Sequence, residues 1–417
     1  MTAPRNYLSA INFELADETS FEGGGTIKIA KEWKDVDYDL KHAEYFGTQL
    51  KREGLFKDKV APLIAGKAND LDKAKAVYDY IKKTIKWNDV EDGYSDDGIR
   101  KAIDNHSGNA GEINISLAAA LNSAGLKAEA VLLSTRSHGF VNKLYPIRTG
   151  FNYVVAKVDI GDKSYLLDAT DPLLPFGMLP LRCLNDQGRV MSLDKPSYWI
   201  DMNTPQKESN TYALDLTLQT DGKIKGTITH YSMGYAAYLK RKEIKGFNST
   251  DEYIEHENER SDRFKILSYT ISNLDSVDQA LSETDVVEIK EYKETGADRL
   301  KFSPFIKDWI VVNPFRLAER NYPVDWGMPS STTYTLVMHL PDNYTIETGL
   351  QKTGVELPNN GGRFLTDYTA DGNTFTFSHI MTLNKSIYFP NEYPYLKEFY
   401  NKIILTEKAV MIFKKKM

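Results

Sequence analysis

A polar, glycine-bearing loop runs directly into an apolar helix pattern in the stretch HSGNAGEINISLAAALNSAG, residues 106–125. Several nucleophilic enzymes present a cysteine at such a helix start, where the helix dipole lowers the pKa of the thiol. Here residue 110, where the helix pattern starts, is alanine, and the single cysteine of the chain is Cys183. The stretch therefore predicts a helix that begins where a nucleophile could stand, but that lacks one.

Two strand-like motifs follow this helix and carry further polar groups. The segment FNYVV contains Tyr153, 43 residues after Ala110, and LLDATDP contains Asp168, 15 residues after Tyr153. A phenol with an ordinary pKa near 10 is a poor general base at neutral pH. Asp168 ends a strand-like run before a turn, so we expect it to hold a backbone amide or the Tyr153 hydroxyl at least as readily as to serve a functional role.

The order of these motifs, helix start, strand and strand, resembles the transglutaminase-like branch of the papain-like cysteine enzymes. The resemblance covers about residues 70–190 and includes IKW at 85–87 and LNSAGLKAEAVLLSTR at 121–136. In that family the helix-start cysteine is the nucleophile, a histidine on the next strand is its base, and an aspartate on the following strand orients the histidine. The resemblance implies that Ala110 and Tyr153 replace the cysteine and the histidine, and that Asp168 alone remains. Acyl transfer by the family mechanism is then not expected.

More narrowly, the whole chain resembles a group of bacterial multi-domain proteins with a transglutaminase-like core between β-rich domains of unknown function. The motifs that carry this match are STR at 134–136, FNY at 151–153, LLDATDP at 166–172, LP followed by RCLN within 179–185, and EYPYLKEFYNKI at 392–403. Members of the group are typically exported, which implies a periplasmic or cell-envelope location; the alternative is cytoplasmic. The N-terminus shows no signal peptide pattern, and we expect an upstream segment to be missing from this sequence.

Several polar residues near these motifs are candidates for ligand binding: Trp87, Asn109, Glu112, Arg136, His138 and Asn152. Asn109 and Glu112 also have the spacing of a capping box, which is the favoured interpretation of that pair. The loop histidines His106 and His138 could serve as alternative bases. Cys183 is expected to be a small buried hydrophobic residue.

Composition and motif searches exclude several function classes. The net charge of −6, with both signs interspersed, gives no case for binding nucleic acid. One cysteine excludes an internal disulfide framework and a cysteine-based zinc site, and the seven histidines lack close metal-ligand spacing. No nucleotide-binding fingerprint and no transmembrane run is present, so we expect no metal, no cofactor and no membrane span.

The elements that must position the motifs follow from hydrophobic periodicity. It predicts helices near 38–56, over 70–86 and from 110 to a terminal glycine at 125, followed by three strands, which indicates an α+β fold. The β-rich remainder has hairpin signals at 221–222 and 364–381 and a last helix near 394–407. We therefore predict a β segment over 1–35, the remnant of an N-terminal β domain, a transglutaminase-like (papain-like) core with an antiparallel sheet over 36–203, and a β-rich, sandwich-like domain with a terminal helix over 204–417. The alternative for this last domain is a single large sheet with helices on one side.

Three functional hypotheses fit this sequence. The first is a catalytically inactive transglutaminase-like protein that binds or assembles a peptide, protein or glycan in the cell envelope. If the cleft of the family persists, Ala110 and Tyr153 line it. The second is an amidase, peptidase or glycan hydrolase with relocated catalytic residues, such as His138 or His106 with Asp168, or a carboxylate pair such as Glu112 with Asp168 or Asp96 with Asp97. The third is a purely structural protein of the envelope.

Overall fold

The computed structural model describes residues 2–9, 11, 17–20, 23, 25–28, 32–146, 148–290, 292–294, 298–307 and 310–416. The chain divides into two compact units, Met1–Thr204 and Pro205–Met417. The boundary expected from composition lies at 203/204, next to this division. Part of the β segment expected over residues 1–35, including residues 12–16, lies outside the described residues.

The first unit is built on helices that bury an apolar face against a common core. α4 begins at a capped residue, since the Asn69 side chain accepts a hydrogen bond from Asp72 N, and it buries Ala74, Val77 and Tyr78. α6 is buried nearly all round, and it is followed by Gly125 with a φ of 78°, the conformation that glycine adopts most easily. The helices are α1 (Trp33–His42), α2 (Gly47–Leu50), α3 (Lys57–Ile64), α4 (Asp70–Thr84), α5 (Ile99–Asn105) and α6 (Ala110–Ser123).

The single helix predicted over residues 38–56 is wrong. The chain turns after α1, which itself begins before the predicted start of the core at residue 36, and a short α2 follows. The turn brings Gly47 against the backbone of Lys41, where a Cβ atom on Gly47 would lie 2.1 Å from Lys41 O. Apolar spacing alone could not reveal this break, because the residues on both sides of it face the same core.

Strands β5 to β9 of the first unit form an antiparallel sheet in the order β7-β6-β5-β8-β9, as predicted for the core. Leu133 at the end of β5 pairs with Tyr153 at the start of β6, and Leu167 ends β7 directly before Asp168. One end of the sheet therefore carries both polar motifs. The strands are β1 (Asp17–Thr19), β2 (Thr26–Lys28), β3 (Lys86–Trp87), β4 (Ser107–Gly108), β5 (Lys127–Leu133), β6 (Tyr153–Ile160), β7 (Lys163–Leu167), β8 (Gln187–Met191) and β9 (Tyr198–Asp201).

The second unit is dominated by a large mixed sheet in the order β12-β13-β11-β10-β17-β21-β20-β19. Both predicted hairpins form, β10–β11 around Gly222 and β20–β21 around Gly372, and both glycines have a positive φ. The strands are β10 (Glu208–Leu218), β11 (Ile224–Gly234), β12 (Phe264–Ser272), β13 (Leu281–Ile289), β14 (Tyr292–Glu294), β15 (Arg299–Phe302), β16 (Val324–Asp325), β17 (Ser330–His339), β18 (Tyr344–Thr348), β19 (Thr353–Leu357), β20 (Gly362–Asp371), β21 (Thr374–Leu383), β22 (Ile387–Tyr388) and β23 (Met411–Lys415).

One face of this large sheet carries the core of the second unit. In β10, Leu214, Leu216 and Leu218 are buried while the residues between them are exposed. A smaller sheet in the order β14-β15-β23-β18 packs against this core, with the Phe375 and Phe413 rings 5.7 Å apart. Helices α7 (Tyr235–Lys245), α8 (Thr250–Arg260) and α9 (Tyr393–Glu407) complete the unit. The α+β class and the sandwich-like second domain are thus confirmed.

His379 on β21 is buried among aromatic rings in the second unit. Its ring stacks on Tyr334 at 4.9 Å, and within the described chain neither of its ring nitrogens has a hydrogen-bond partner. Burial lowers the pKa of His379 from 6.5 to about 4, so the imidazole is neutral in the folded protein at pH 7. A buried polar group without a partner costs free energy that an aromatic hydrocarbon of similar shape would not cost.

We therefore expect His379→Phe to raise the free energy of unfolding by about 1–2 kcal/mol at pH 7. The gain should grow as the pH falls from 6.5 towards 4, because the unfolded wild-type chain gains a proton there and the folded one does not. Urea unfolding across this pH range measures both effects. The control His42→Phe, at an exposed position of α1, should change stability by less than about 0.5 kcal/mol. A less stable His379→Phe variant would contradict the argument.

Within the described part of the chain, every helix is too short or too polar to cross a lipid bilayer.

Candidate functional site

The start of α6 is held by the predicted capping box. The Asn109 side chain accepts a hydrogen bond from Glu112 N at 2.8 Å, and Glu112 Oε2 accepts one from Asn109 N at 3.0 Å. Glu112 Oε1 also accepts a bond from Asp97 N at 3.2 Å. Both residues were candidates for ligand binding, and the structure places both in the cap, where they are buried.

Residues 88–94, here called the covering loop, lie over the start of α6. Val90 O accepts hydrogen bonds from Ala110 N and from the Trp87 indole, both at 3.1 Å. The next residue of the helix, Gly111, has no room for a side chain, since a Cβ atom there would lie 2.1 Å from Tyr94 O. Ala110 is consequently 0% exposed, and its N–H is already hydrogen-bonded.

Tyr153 and Asp168 meet directly at the end of the sheet. The Tyr153 hydroxyl donates to Asp168 Oδ2 at 2.9 Å, which is one of the contacts expected for this aspartate. Asp168 Oδ1 accepts hydrogen bonds from Asn114 Nδ2 at 3.1 Å and from Thr170 N at 2.9 Å. Both side chains are 0% exposed. We call this pair the Tyr153–Asp168 centre.

Arg182 completes the centre, and sequence reasoning did not select it. Its Nη2 donates to the Tyr153 hydroxyl at 2.8 Å and to Thr170 Oγ1 at 2.6 Å, and it lies 3.7 Å from Asp168 Oδ2. The guanidinium carbon lies 4.4 Å from the ring centre of Trp87 and 5.1 Å from that of Tyr153. Cation–π contact and hydrogen bonding therefore act on the same side chain, and Trp87, a binding candidate, contributes to this packing.

The segment 181–185 delivers Arg182 by docking on the end of β5. Arg136 N donates to Arg182 O at 2.9 Å, and the Arg136 guanidinium donates to Leu184 O at 3.1 Å. Asn185 Nδ2 donates to Ser134 O at 2.9 Å. The STR and RCLN motifs thus bind each other, and the candidate Arg136 positions a neighbouring segment.

The electrostatics of the centre favour protonated hydroxyl and thiol groups. Burial, reinforced by the Asp168 carboxylate, raises the pKa of Tyr153 well above its ordinary value. Burial opposes the charge of Arg182, but Tyr153 and Asp168 outweigh it, so the pKa of Arg182 is raised. Cys183 is 0% exposed with its Sγ 3.9 Å from Asp168 Oδ2, and burial followed by Asp168 raises the pKa of its thiol well above the usual range. This is the reverse of an activated cysteine.

The remaining candidates lie around the centre without joining it. Asn152 binds Thr135, accepting from its N–H at 2.8 Å and donating to its hydroxyl at 2.9 Å. His138 Nδ1 lies 2.8 Å from Ser134 Oγ and 3.0 Å from an Arg5 nitrogen; burial, then Arg5, lowers the pKa of His138.

Neither alternative base reaches the aspartate. His106 is exposed, and its Nδ1 lies 3.0 Å from Thr84 O. Among the described residues, neither His106 nor His138 hydrogen-bonds to Asp168. Ala110 and Tyr153 would line a cleft if one persisted, but the covering loop and Arg182 leave both residues without exposed surface. In the described chain, no nucleophilic group of this centre is accessible to solvent.

Asn114 is a second site residue that sequence reasoning missed. It lies one turn after Ala110 on the same face of α6, and its amide joins Val154 O, Asp168 and Ala169 N. The sequence did contain a signal for Asn114, because a residue four positions after the first residue of a helix lies on the same face of that helix. Within the described residues, no group of three or more His, Cys, Asp or Glu side chains is arranged to hold a metal ion.

The part of the chain that holds α6 and Tyr153 is similar to a known protein superfamily. Residues 57–165 match the transglutaminase-like superfamily. The chain carries a transglutaminase-like domain. This confirms the resemblance drawn from the motifs, and the matched range contains both the start of α6 and Tyr153. The assignment of Ala110 and Tyr153 to the cysteine and histidine positions stays a prediction.

Residues 298–413 match a domain of unknown function with a solved structure, DUF3858. The chain is also similar to the crystal structure of a "putative protease" from Parabacteroides distasonis, with a TM-score of 0.50 and 14% sequence identity. The match covers 98% of this chain and 64% of that chain, and at this identity it establishes a shared fold. This chain therefore spans less than two thirds of that protein. No curated protein matches the sequence significantly.

Proposed function

We propose that this transglutaminase-like protein is catalytically inactive and works as a binding or assembly module for a peptide, protein or glycan of the cell envelope. The envelope location is part of the proposal and rests on the resemblance to exported bacterial proteins. The sequence supports inactivity at two positions, since Ala110 has no nucleophilic group and Tyr153 is a poor base at neutral pH.

The observation that carries the proposal is the locked Tyr153–Asp168 centre. Asp168 accepts a hydrogen bond from the phenol of Tyr153, whereas a catalytic triad would need a base at that position. The Arg182 guanidinium fills the space beside the rings of Trp87 and Tyr153. Acyl transfer needs a nucleophile within reach of a base and a site that a carbonyl carbon can enter. Here the Ala110 N–H is already hydrogen-bonded to Val90 O, and the thiol of Cys183 is buried and protonated.

The structural neighbour is described as a protease, which raises the opposite possibility, peptide hydrolysis, for that protein. For the present chain, an enzyme with relocated residues would need an accessible base near Asp168. The Asp168 carboxylate instead binds Tyr153, Asn114 and Thr170. Glu112, the other acid of the suggested carboxylate pair, is occupied in the helix cap. We therefore favour binding without turnover.

We expect the purified protein to bind one class of ligand saturably, in a peptide library or on an oligosaccharide array, without consuming it. Iodoacetamide should not label native Cys183, because its thiol is buried and protonated. Mass spectrometry of the probes after incubation measures turnover, and Cys183→Ser controls for thiol chemistry. Hydrolysis or cross-linking of a probe by the wild-type protein would overturn the proposal.

A further inference from the structure

A cavity of about 310 Å³ opens beside the Tyr153–Asp168 centre, at the end of α4. Its polar lining consists of Lys82, Lys83, Lys86, Trp87, His106 and Thr170, with further walls from Thr84, Ile85 and Pro172. None of these lining residues is acidic. The cavity is therefore walled by cations, an indole ring and a hydroxyl group, and it lies near the lower limit of volumes typical of small-ligand sites.

The positive charge in this cavity is only partly neutralised. Lys82 is buried; its Nζ donates to Leu174 O at 3.0 Å and to Pro172 O at 3.4 Å, and Asp79 lies 3.7 Å away. Lys83 and Lys86 are exposed, and in the described chain neither has a carboxylate within ion-pair distance. Two ammonium groups without an acidic partner thus lie at the rim, while Lys82 fixes the wall formed by the 172–174 segment.

The other side chains of the cavity are held in fixed positions. His106 has a φ of 53°, and its Nδ1 lies 3.0 Å from Thr84 O, a carbonyl that can only accept a hydrogen bond. Nδ1 is therefore the protonated nitrogen in the neutral ring, which leaves Nε2 for a ligand. Trp87 and Thr170 both contact Arg182, Trp87 through its ring and Thr170 through its hydroxyl. The wall that the cavity shares with the centre is thus held in place by an arginine.

We propose that this cavity binds the carboxylate group of a peptide C-terminus or of a sugar acid. The inference rests on the proposed binding function and names the chemistry of its ligand. Lys83 and Lys86 supply the attraction for the carboxylate, and the Trp87 indole supplies apolar contact for the adjoining chain or ring. A neutral ligand would leave the ammonium groups with water as their only partners, so the charged ligand is preferred.

The test compares acidic probes with neutral ones by isothermal titration calorimetry. One arm uses N-acetylated trialanine with a free or an amidated C-terminus, and the other uses trigalacturonic acid against galactotriose. We expect the acidic member of one arm to bind at least about tenfold more tightly than its neutral counterpart, and we expect this preference to fall several-fold at 0.5 M salt. The arm that shows the preference identifies the source of the carboxylate.

The variant Lys83→Ala with Lys86→Ala should abolish that preference, and a matched double variant should not. Lys67→Ala with Lys75→Ala removes the same charge from positions outside the cavity and should bind like the wild type. Equal binding of acidic and neutral probes, or an unchanged preference in the Lys83/Lys86 variant, would overturn this inference and leave the binding function standing. Turnover of a probe would instead contradict the proposed lack of catalysis.

Discussion

Replacing Gly111 by alanine should lower the free energy of unfolding of the first unit by about 3 kcal/mol. The new methyl group would lie 2.1 Å from Tyr94 O and 2.5 Å from Tyr94 C, both backbone atoms that cannot rotate away. Alanine is the better helix former by about 1 kcal/mol, but the steric clash outweighs that gain. Either the covering loop leaves the start of α6 or the helix shifts, and both changes expose Ala110.

Urea unfolding and hydrogen exchange of the covering loop measure this effect. We expect faster exchange at Ala110 N, whose hydrogen bond to Val90 O would be broken or weakened. Gly54→Ala is the matched control, because no atom lies within 4 Å of a Cβ placed there, and its stability should stay within about 0.5 kcal/mol of the wild type. If Gly111→Ala is as stable as wild type with unchanged exchange, the covering loop does not pack as described.

The same region shows what the sequence could predict and what it could not. The spacing of Asn109 and Glu112 predicted the cap, and the apolar run predicted α6 up to Gly125, because side-chain types carry these signals. The covering loop, NDVEDGY, is mostly polar in sequence, and its residue types give no sign that it closes over the helix. It closes through the backbone carbonyls of Val90 and Tyr94, and a carbonyl is present at every residue.

Arg182 was missed for a related reason. It lies 29 residues after Tyr153, in a segment without periodicity. Its place depends on the docking of segment 181–185 onto the STR motif, which is a tertiary contact between two loops. The partnership of Tyr153 and Asp168 was foreseeable, since a carboxylate after one strand can reach a hydroxyl on the neighbouring strand. The position of Arg182 over both residues could be found only from the three-dimensional structure.

Replacing Arg182 should also lower the free energy of unfolding substantially, as we expect for Gly111→Ala. In Arg182→Met the Asp168 carboxylate stays fully buried but loses its nearest cation, and Tyr153 loses two hydrogen bonds. Breaking a buried ion pair from one side typically costs 3–5 kcal/mol. Since Arg182 keeps 20% of its side chain exposed, we expect a loss at the lower end of that range, about 3 kcal/mol.

A double-mutant cycle separates the charge from the packing. Asp168→Asn alone should also destabilise the fold, because Asp168 accepts bonds from Tyr153, Asn114 and Thr170 N, and an amide cannot accept all of them. Together with Arg182→Met it should cost less than the sum of the two single effects, since no unpaired charge then remains. The coupling measured by urea unfolding should be at least about 1 kcal/mol.

Arg100→Met, at an exposed position of α5, controls for loss of a guanidinium and should stay within about 0.5 kcal/mol of the wild type. Additive effects of Arg182→Met and Asp168→Asn would show that the two groups do not support each other. Such a result would contradict the argument that Arg182 stabilises the buried charge of Asp168 beside a protonated Tyr153. A coupled loss, with no gain of turnover in either variant, would tie the burial of this centre to folding and not to catalysis.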